Sequence, residues 1–250
     1  MHDRLLEYTY RLGDDALILG QRLSAWCGHA PNHEIDLGLS SLALDLVGQA
    51  TDFLSLAARL EGKGQDADTL AFRRNPPDYH NCLLVEQPNG DFAQTLARQF
   101  LFSNWQLLML DALTHSADRD LGHIAAKSVR EVTSHVDFCH DWMVRMGDST
   151  VVCHKRLVLS LDMMARFVDE LFVMDEVDDD LLARGIAVDK TALRAEYDAR
   201  VNTVLHEARL AHPRPTEPVI GGRRGHHSEH LSHMLAEMTL PSRDDIRGAA

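Results

Sequence analysis

The sequence predicts an all-α fold, and three observations carry that expectation. Apolar residues recur at helical spacing almost throughout, no alternating strand of useful length interrupts them, and the long periodic segments are joined mostly by short turns. The chain has 250 residues, 45% of them hydrophobic, enough to bury one substantial core; a single domain over residues 1–250 is expected.

Leu12, Ala16, Leu19, Leu23 and Trp26 step by four and three residues and define one face of a first helix, which Gly28 and Pro31 should end. Asn32 is a candidate N-cap for a second helix carrying Leu39, Leu42, Leu46, Phe53 and Leu60 on one stripe, stopped by Gly62 and Gly64. These two should form an antiparallel hairpin. Residues 62–91 are less regular, with Pro76, Pro77 and the turn Pro88-Asn89-Gly90. Asp91 followed by Gln94 reads as a capping box opening a third helix. From Phe92 to about Thr114 that helix is apolar nearly all round (Leu101, Phe102, Trp105, Leu107, Leu108, Met109, Leu110), the pattern of a helix buried against several neighbours.

Asp118 can cap a fourth helix running to about Met146, and Gly147-Asp148-Ser149 makes a tight connection into a fifth, from about Val151 to Val173. The acidic stretch 175–180 reads as a solvated connection. A sixth helix is expected from about Asp189 to Leu210. The Pro/Gly-rich segment near 212–229, with Pro213, Pro215, Pro218, Gly221, Gly222 and Gly225, should be irregular, and a short helix from His230 to Met238 closes the chain. Paired long helices with one longer connection, between the second and third, describe a ferritin-like four-helix bundle with additional flanking helices.

The formal net charge of −13 repels phosphate backbones and anionic membranes, so neither nucleic acid nor membrane is an expected partner. No run approaches the apolar length of a membrane span. The opening Met1-His2-Asp3-Arg4 leads into an amphipathic pattern rather than an export leader, so no export is expected. Cys27, Cys82, Cys139 and Cys153 are scattered with no C-x-x-C pair, which points to reduced, buried thiols and a cytoplasmic location.

A bundle of this kind that does oxygen chemistry places two irons between its core helices. Two helices each give a carboxylate and two give Glu-x-x-His, because positions i and i+3 share a helical face. The long helices here meet that specification poorly. Asp15, between Leu12 and Leu19, faces inward, with Asp14 less central; Asp45 leans inward, but three residues on stands Gly48. The third helix offers only Gln99 and Ser103, and neutral oxygens are poor ligands for high-valent iron. Glu131 is followed at i+3 by Ser134, and the histidine arrives at i+4, His135. Glu131 and His135 share a face with Ile124, Ser128, Phe138 and Trp142 and can be read as ligands or as a buried hydrogen-bonded pair. Asp15, Asp45, Glu131 and His135 would then be a polar relic, neutralised by bases such as Lys127, Arg98 or Arg22. Neither catalytic nor cofactor-binding nor metal-ligating residues are expected in this chain.

His226, His227, His230 and His233 follow Gly221-Gly222-Arg223-Arg224-Gly225. His226 and His230, one turn apart in a helix, could hold a metal, or the cluster could serve capping and packing; the glycines read as flexible loop rather than nucleotide cradle. No G-x-S-x-G elbow is present, and Cys139-His140 places neighbours on different helix faces. Trp105, Trp142 and Met163-Met164 fill a core or, in excess, a partner surface.

Several ordered runs resemble the structural-subunit family of the bacterial ring-1,2-phenylacetyl-CoA epoxidases. They are residues 11–20 (RLGDDALILG), 26–31 (WCGHAP), 43–50 (ALDLVGQA), 68–73 (DTLAFR), 85–92 (VEQPNGDF), the stretch from Lys127 to Glu131-Val132 and His135, and the end from Gly225-His226 through Glu229-His230-Leu231 to 235–238 (LAEM). The resemblance implies a ferritin-like, non-catalytic scaffold paired with a homologous subunit that holds the di-iron centre and the CoA thioester. It also implies a further small subunit and an NADPH-dependent reductase carrying flavin and iron–sulfur groups. Two other readings remain: a self-sufficient di-iron oxygenase using Asp15, Asp45, Glu131 and His135, and a ferritin-like binding module outside aromatic catabolism.

Overall fold

The computed structural model describes residues 2–214 and 217–247; for His2 and residues 240–247 it describes the backbone alone. Pro215 lies outside the described residues. Helix α1 spans His2–Ser24 and α2 spans His33–Glu61. Asn32 caps α2 by accepting from the Ile35 N–H at 2.9 Å, and Gly62 ends it with φ of 69°, a left-handed turn that a side chain would strain. Trp26 sits beyond the end of α1, in the turn, where its indole N–H donates to Thr95 Oγ1 at 3.0 Å.

The irregular stretch holds two short helices, α3 (Ala67–Phe72) and α4 (Leu83–Glu86), with a single tight turn at Pro76–Asp78 between them. Helix α5 (Phe92–Leu113) is buried nearly all round, as the sequence indicates, and α6 runs Arg119–Gly147. Only half of the capping box forms. Asp91 accepts from the Gln94 N–H at 3.1 Å, while the Gln94 amide turns away and donates to the Pro88 carbonyl at 3.1 Å.

The core packs α1 along α2, α5 along α6, and α2 against α6; short links within each hairpin make its helices antiparallel. This is the predicted all-α, ferritin-like helical bundle. Helix α7 (Val151–Ala165) lies on α5 and ends earlier than the periodicity suggests, giving way to turns through Phe172.

The acidic stretch is not a solvated connection. Residues Glu176–Leu182 form helix α8 against α1, with Asp175 as its N-cap and Asp178 fully buried. Arg11 explains the difference: its guanidinium reaches Asp175 at 2.7 Å and Asp178 at 3.2 Å, and Lys190 reaches Asp178 at 2.8 Å. Charges this far inside are tolerated because each meets an opposite one. Helices α9 (Arg194–Glu207) and α10 (Glu229–Arg247) complete the flanks; α9 is entered through a tight turn at Thr191–Leu193 and α10 is longer than expected.

Cysteine burial also departs from expectation: Cys82 and Cys139 are buried, but Cys153 is half-buried and Cys27 exposed. Among the described residues no helix is long and apolar enough to cross a membrane.

Candidate functional site

Two polar regions lie inside the bundle. The first is a seam between α2, α5 and α6, and it holds most of the positions that the sequence singles out. His135, fully buried on α6, points Nε2 at Asp45 Oδ2 of α2, 3.1 Å away. Asp45 keeps 32% of its side chain exposed. One turn along, Gln49 donates to Glu131 Oε2 at 3.0 Å and accepts from Gln106 Nε2 at 3.0 Å. Glu131 and His135 are therefore not bonded to each other, and Glu131 is only half-buried. Ser134 is exposed and returns its hydroxyl to the Glu131 carbonyl at 2.8 Å, and a side chain added at Gly48 would meet open space.

Deeper in the seam, several polar atoms have no hydrogen-bond partner: both amide atoms of Gln99, Gln106 Oε1 and His135 Nδ1. Ser103 bonds its own helix at the Gln99 carbonyl and lies 3.8 Å from the Cys139 sulfur. Burial pushes the Cys139 thiol up to about 12, so it is a neutral core group. None of the predicted neutralising bases joins this seam. Lys127 pairs with Asp52 at 2.7 Å at the surface, Arg98 bonds the Gln87 carbonyl and Asn89, and Arg22 bonds the Glu86 and His230 carbonyls.

Asp15 is absent from the seam altogether. It belongs to the second region, where α1 meets the 79–87 stretch and the segment before α10. Its carboxylate accepts from the Cys82 N–H at 2.8 Å and pairs with Arg223 at 2.6 Å. Asp14 is as buried as Asp15, not less central: it pairs with Arg74 and accepts from the His80 N–H at 2.8 Å. Arg223 also donates to the Arg11 and His80 carbonyls. Burial works against the Arg223 charge, but the carboxylate of Asp15, with Cys82 and Glu170, outweighs it and raises the pKa.

Two further carboxylates complete this region. Glu170 accepts from the N–H groups of Leu83, Gly221 and Gly222 at 2.6, 2.8 and 2.7 Å. Glu86 accepts from Asn81, from the Ser228 N–H at 2.7 Å and from His227 Nδ1 at 2.8 Å. The other ring nitrogen of His227 faces the Tyr79 carbonyl at 2.8 Å. With an oxygen at each nitrogen the ring holds both protons. Burial opposes that charge, and the bond to Glu86 overrides it, so the His227 pKa is raised.

The Gly221–Gly225 stretch is consequently a close-fitting strap rather than a flexible loop. A side chain at Gly222 would collide with the Asn81 carbonyl. His226 lies outside α10, so it and His230 do not present a helical His-x-x-x-His pair; His226 and His233 are exposed. Among the described residues no three His, Cys, Asp or Glu side chains converge closely enough to hold a metal ion.

Arg11, Arg223, Glu86 and Glu170 were not singled out from sequence as site residues. The one local signal for them is the adjacent pair Asp14-Asp15 on an otherwise apolar face, which demands cations from somewhere. Nothing local says that one of them is 208 residues away.

A family model described as "Phenylacetic acid catabolic protein" matches residues 1–248 of the chain. Over 236 residues, 94% of this chain and 95% of the relative, the sequence is 47% identical to one of the subunits of the 1,2-phenylacetyl-CoA epoxidase of Escherichia coli (strain K12).

Proposed function

The chain belongs to the phenylacetic acid catabolic protein family, and from that premise we propose that it is the scaffold subunit of a multicomponent oxygenase that epoxidises the aromatic ring of phenylacetyl-CoA. In this reading a homologous subunit holds the di-iron centre, a small subunit and an NADPH-dependent reductase with flavin and iron–sulfur groups complete the system, and the assembly works in the cytoplasm. This chain contributes no catalytic residue.

The observation that carries the reading is the composition of the seam. A di-iron pair needs carboxylates from all four core helices and two histidines. Here a single histidine, His135, meets a single carboxylate, Asp45; Glu131 is engaged by Gln49, and Asp15 is turned away to Arg223. Gly48 and Ser134 stand where Glu-x-x-His spacing would require histidines. These donors do not fit two irons.

Two measurements test the reading. Ferrous iron added under nitrogen and then exposed to air should leave the purified chain without stoichiometric metal and without an oxo-bridged absorption band; finding both would make it a self-sufficient oxygenase. Co-expression with the family member from the same organism that carries two Glu-x-x-His motifs should give a stable heteromer, and failure to co-purify would leave a binding module of another kind.

A further inference from the structure

Helix α7 carries four of the large hydrophobic side chains that the described residues leave exposed: Val151 at 70%, Val152 at 60%, Leu159 at 56% and Met163 at 52%. Val152, Leu159 and Met163 fall at i, i+7 and i+11, one stripe of the helix. The stripe runs into a cleft of about 730 Å³ walled by Pro88, Leu159, Met163, Met164 and Phe167. Stripe and cleft form one track: Leu159 and Met163 line the cleft itself, and Val152 stands about two turns nearer the start of α7, with the exposed Lys155 and Arg156 between. Single exposed apolar residues need no explanation, but several on one helix face, opening into an apolar cleft and set among charges, do.

The rim is basic in an acidic protein. Lys155, Arg156, Arg166 and Arg214 are exposed along it. Beneath it lie two arginines with no carboxylate within ion-pair distance among the described residues. Arg22 donates to the carbonyls of Glu86 and His230, and Arg98 reaches only the Gln87 carbonyl and Asn89 Oδ1. Gln87 and His230 themselves line the cleft. Burial, and then the neighbouring charge of Arg22, push Arg98 down to about 9, still protonated at neutral pH, and its Nε has no partner at all. The acids nearby are Asp91 and Asp162, already paired with Arg156 and Arg214, the His227-bound Glu86, and Glu237. Arg22 and Arg98 thus keep their charge without an acidic partner in ion-pair distance, on a chain whose net charge is −13. An uncompensated buried guanidinium makes one demand: negative charge brought from outside.

We propose that this track docks an amphipathic helix of another subunit of the same assembly, one whose apolar face lies on Val152, Leu159 and Met163 and whose flanking face is acidic. The proposal rests on the multisubunit reading above and adds to it the surface and the chemistry of the partner. The geometry is helix-in-groove, with anchors at helical spacing and charge complementarity setting orientation.

Hydroxyl-radical footprinting of Met163 tests it, with the buried Met164 as internal reference, on the free chain and on the complex co-expressed with the remaining subunits from the same organism. In the complex, Met163 oxidation should slow about tenfold or more. Leu159→Glu with Met163→Glu, both at exposed positions that the fold tolerates, should weaken association about tenfold or more, and Arg156→Glu should flatten its dependence on salt. A complex that forms with Met163 still freely oxidised overturns the docking site and leaves the scaffold reading intact. Absence of any complex overturns both. Protection that appears in the isolated chain as its concentration rises means that a second copy covers the track, and that too overturns the proposal.

Discussion

Where α1 meets the segment before α10, each buried carboxylate is answered: Asp14 by Arg74, Asp15 by Arg223, Glu86 by His227, Glu170 by three backbone N–H groups, Asp175 and Asp178 by Arg11. Along the seam between α2, α5 and α6 the two carboxylates, Asp45 and Glu131, are half-exposed and neither meets an arginine or lysine; unpartnered atoms occur in both regions, Arg11 Nε and Asp178 Oδ1 in the first and both Gln99 amide atoms in the second. The first region ties the two ends of the chain together and cannot lose a member without stranding another. The second has carboxylates that already reach solvent, so losing a partner there strands less charge.

The contrast can be broken most sharply at Arg223. Arg223→Ala leaves Asp15 buried and unpaired and removes two further bonds to carbonyls, so it should destabilise by about 3–5 kcal/mol, read from urea unfolding; a loss below about 1 kcal/mol would mean that Asp15 is solvated. Arg11→Met should cost somewhat less, about 2–3 kcal/mol, because Lys190 still answers Asp178. On the seam the sign should reverse. Gln99→Met removes an amide whose atoms find no partner and should raise stability by about 1 kcal/mol; a loss of stability would show that the amide is satisfied in solution.

The smallest effect is expected at Glu131. Its sequence context suggests a buried pair and a loss of about 3 kcal/mol on truncation. Half-buried and bonded to one neutral amide, it should cost less than about 1 kcal/mol as Glu131→Ala.

The two regions should also differ in pH dependence. The folded-state pKa of His227 is raised, so its contribution is fully present below about pH 6.5 and is lost as pH rises through the folded value. Asp175 goes the other way. Burial opposes its charge, but the hydrogen bond and charge of Arg11 win and hold it below the usual carboxylate range. Its contribution is present above about pH 3.9 and is lost on acidification through the folded value. Melting temperature against pH should therefore flatten at the alkaline side in His227→Gln and at the acid side in Asp175→Asn, while Gln99→Met keeps the wild-type profile.

Much of the bundle was legible from sequence because its signals are local. The stripe on α2, its cap at Asn32 and its stop at Gly62 lie within one helix and its flanks, as does the all-round apolarity of α5. That Asp45 shares a face with Gln49, and Glu131 with His135, was legible for the same reason, since i and i+4 spacing fixes which side chains share a face. Where the sequence misled, a distant residue had changed the meaning of a local pattern. An acidic run reads as solvated until Arg11 and Lys190 are set against it, and a Gly-Gly-Arg-Arg-Gly run reads as a loose loop until Glu170 and Asp15 hold it.

The sequence by itself determined that this is a helical bundle of a recognisable family and which side chains share a helix face, because periodicity and spacing are properties of a single helix. Only the tertiary structure decided where the charges go. Which carboxylate meets which cation depends on segments as far apart as Asp15 and Arg223, and burial, not sequence distance, sets the cost of leaving either alone.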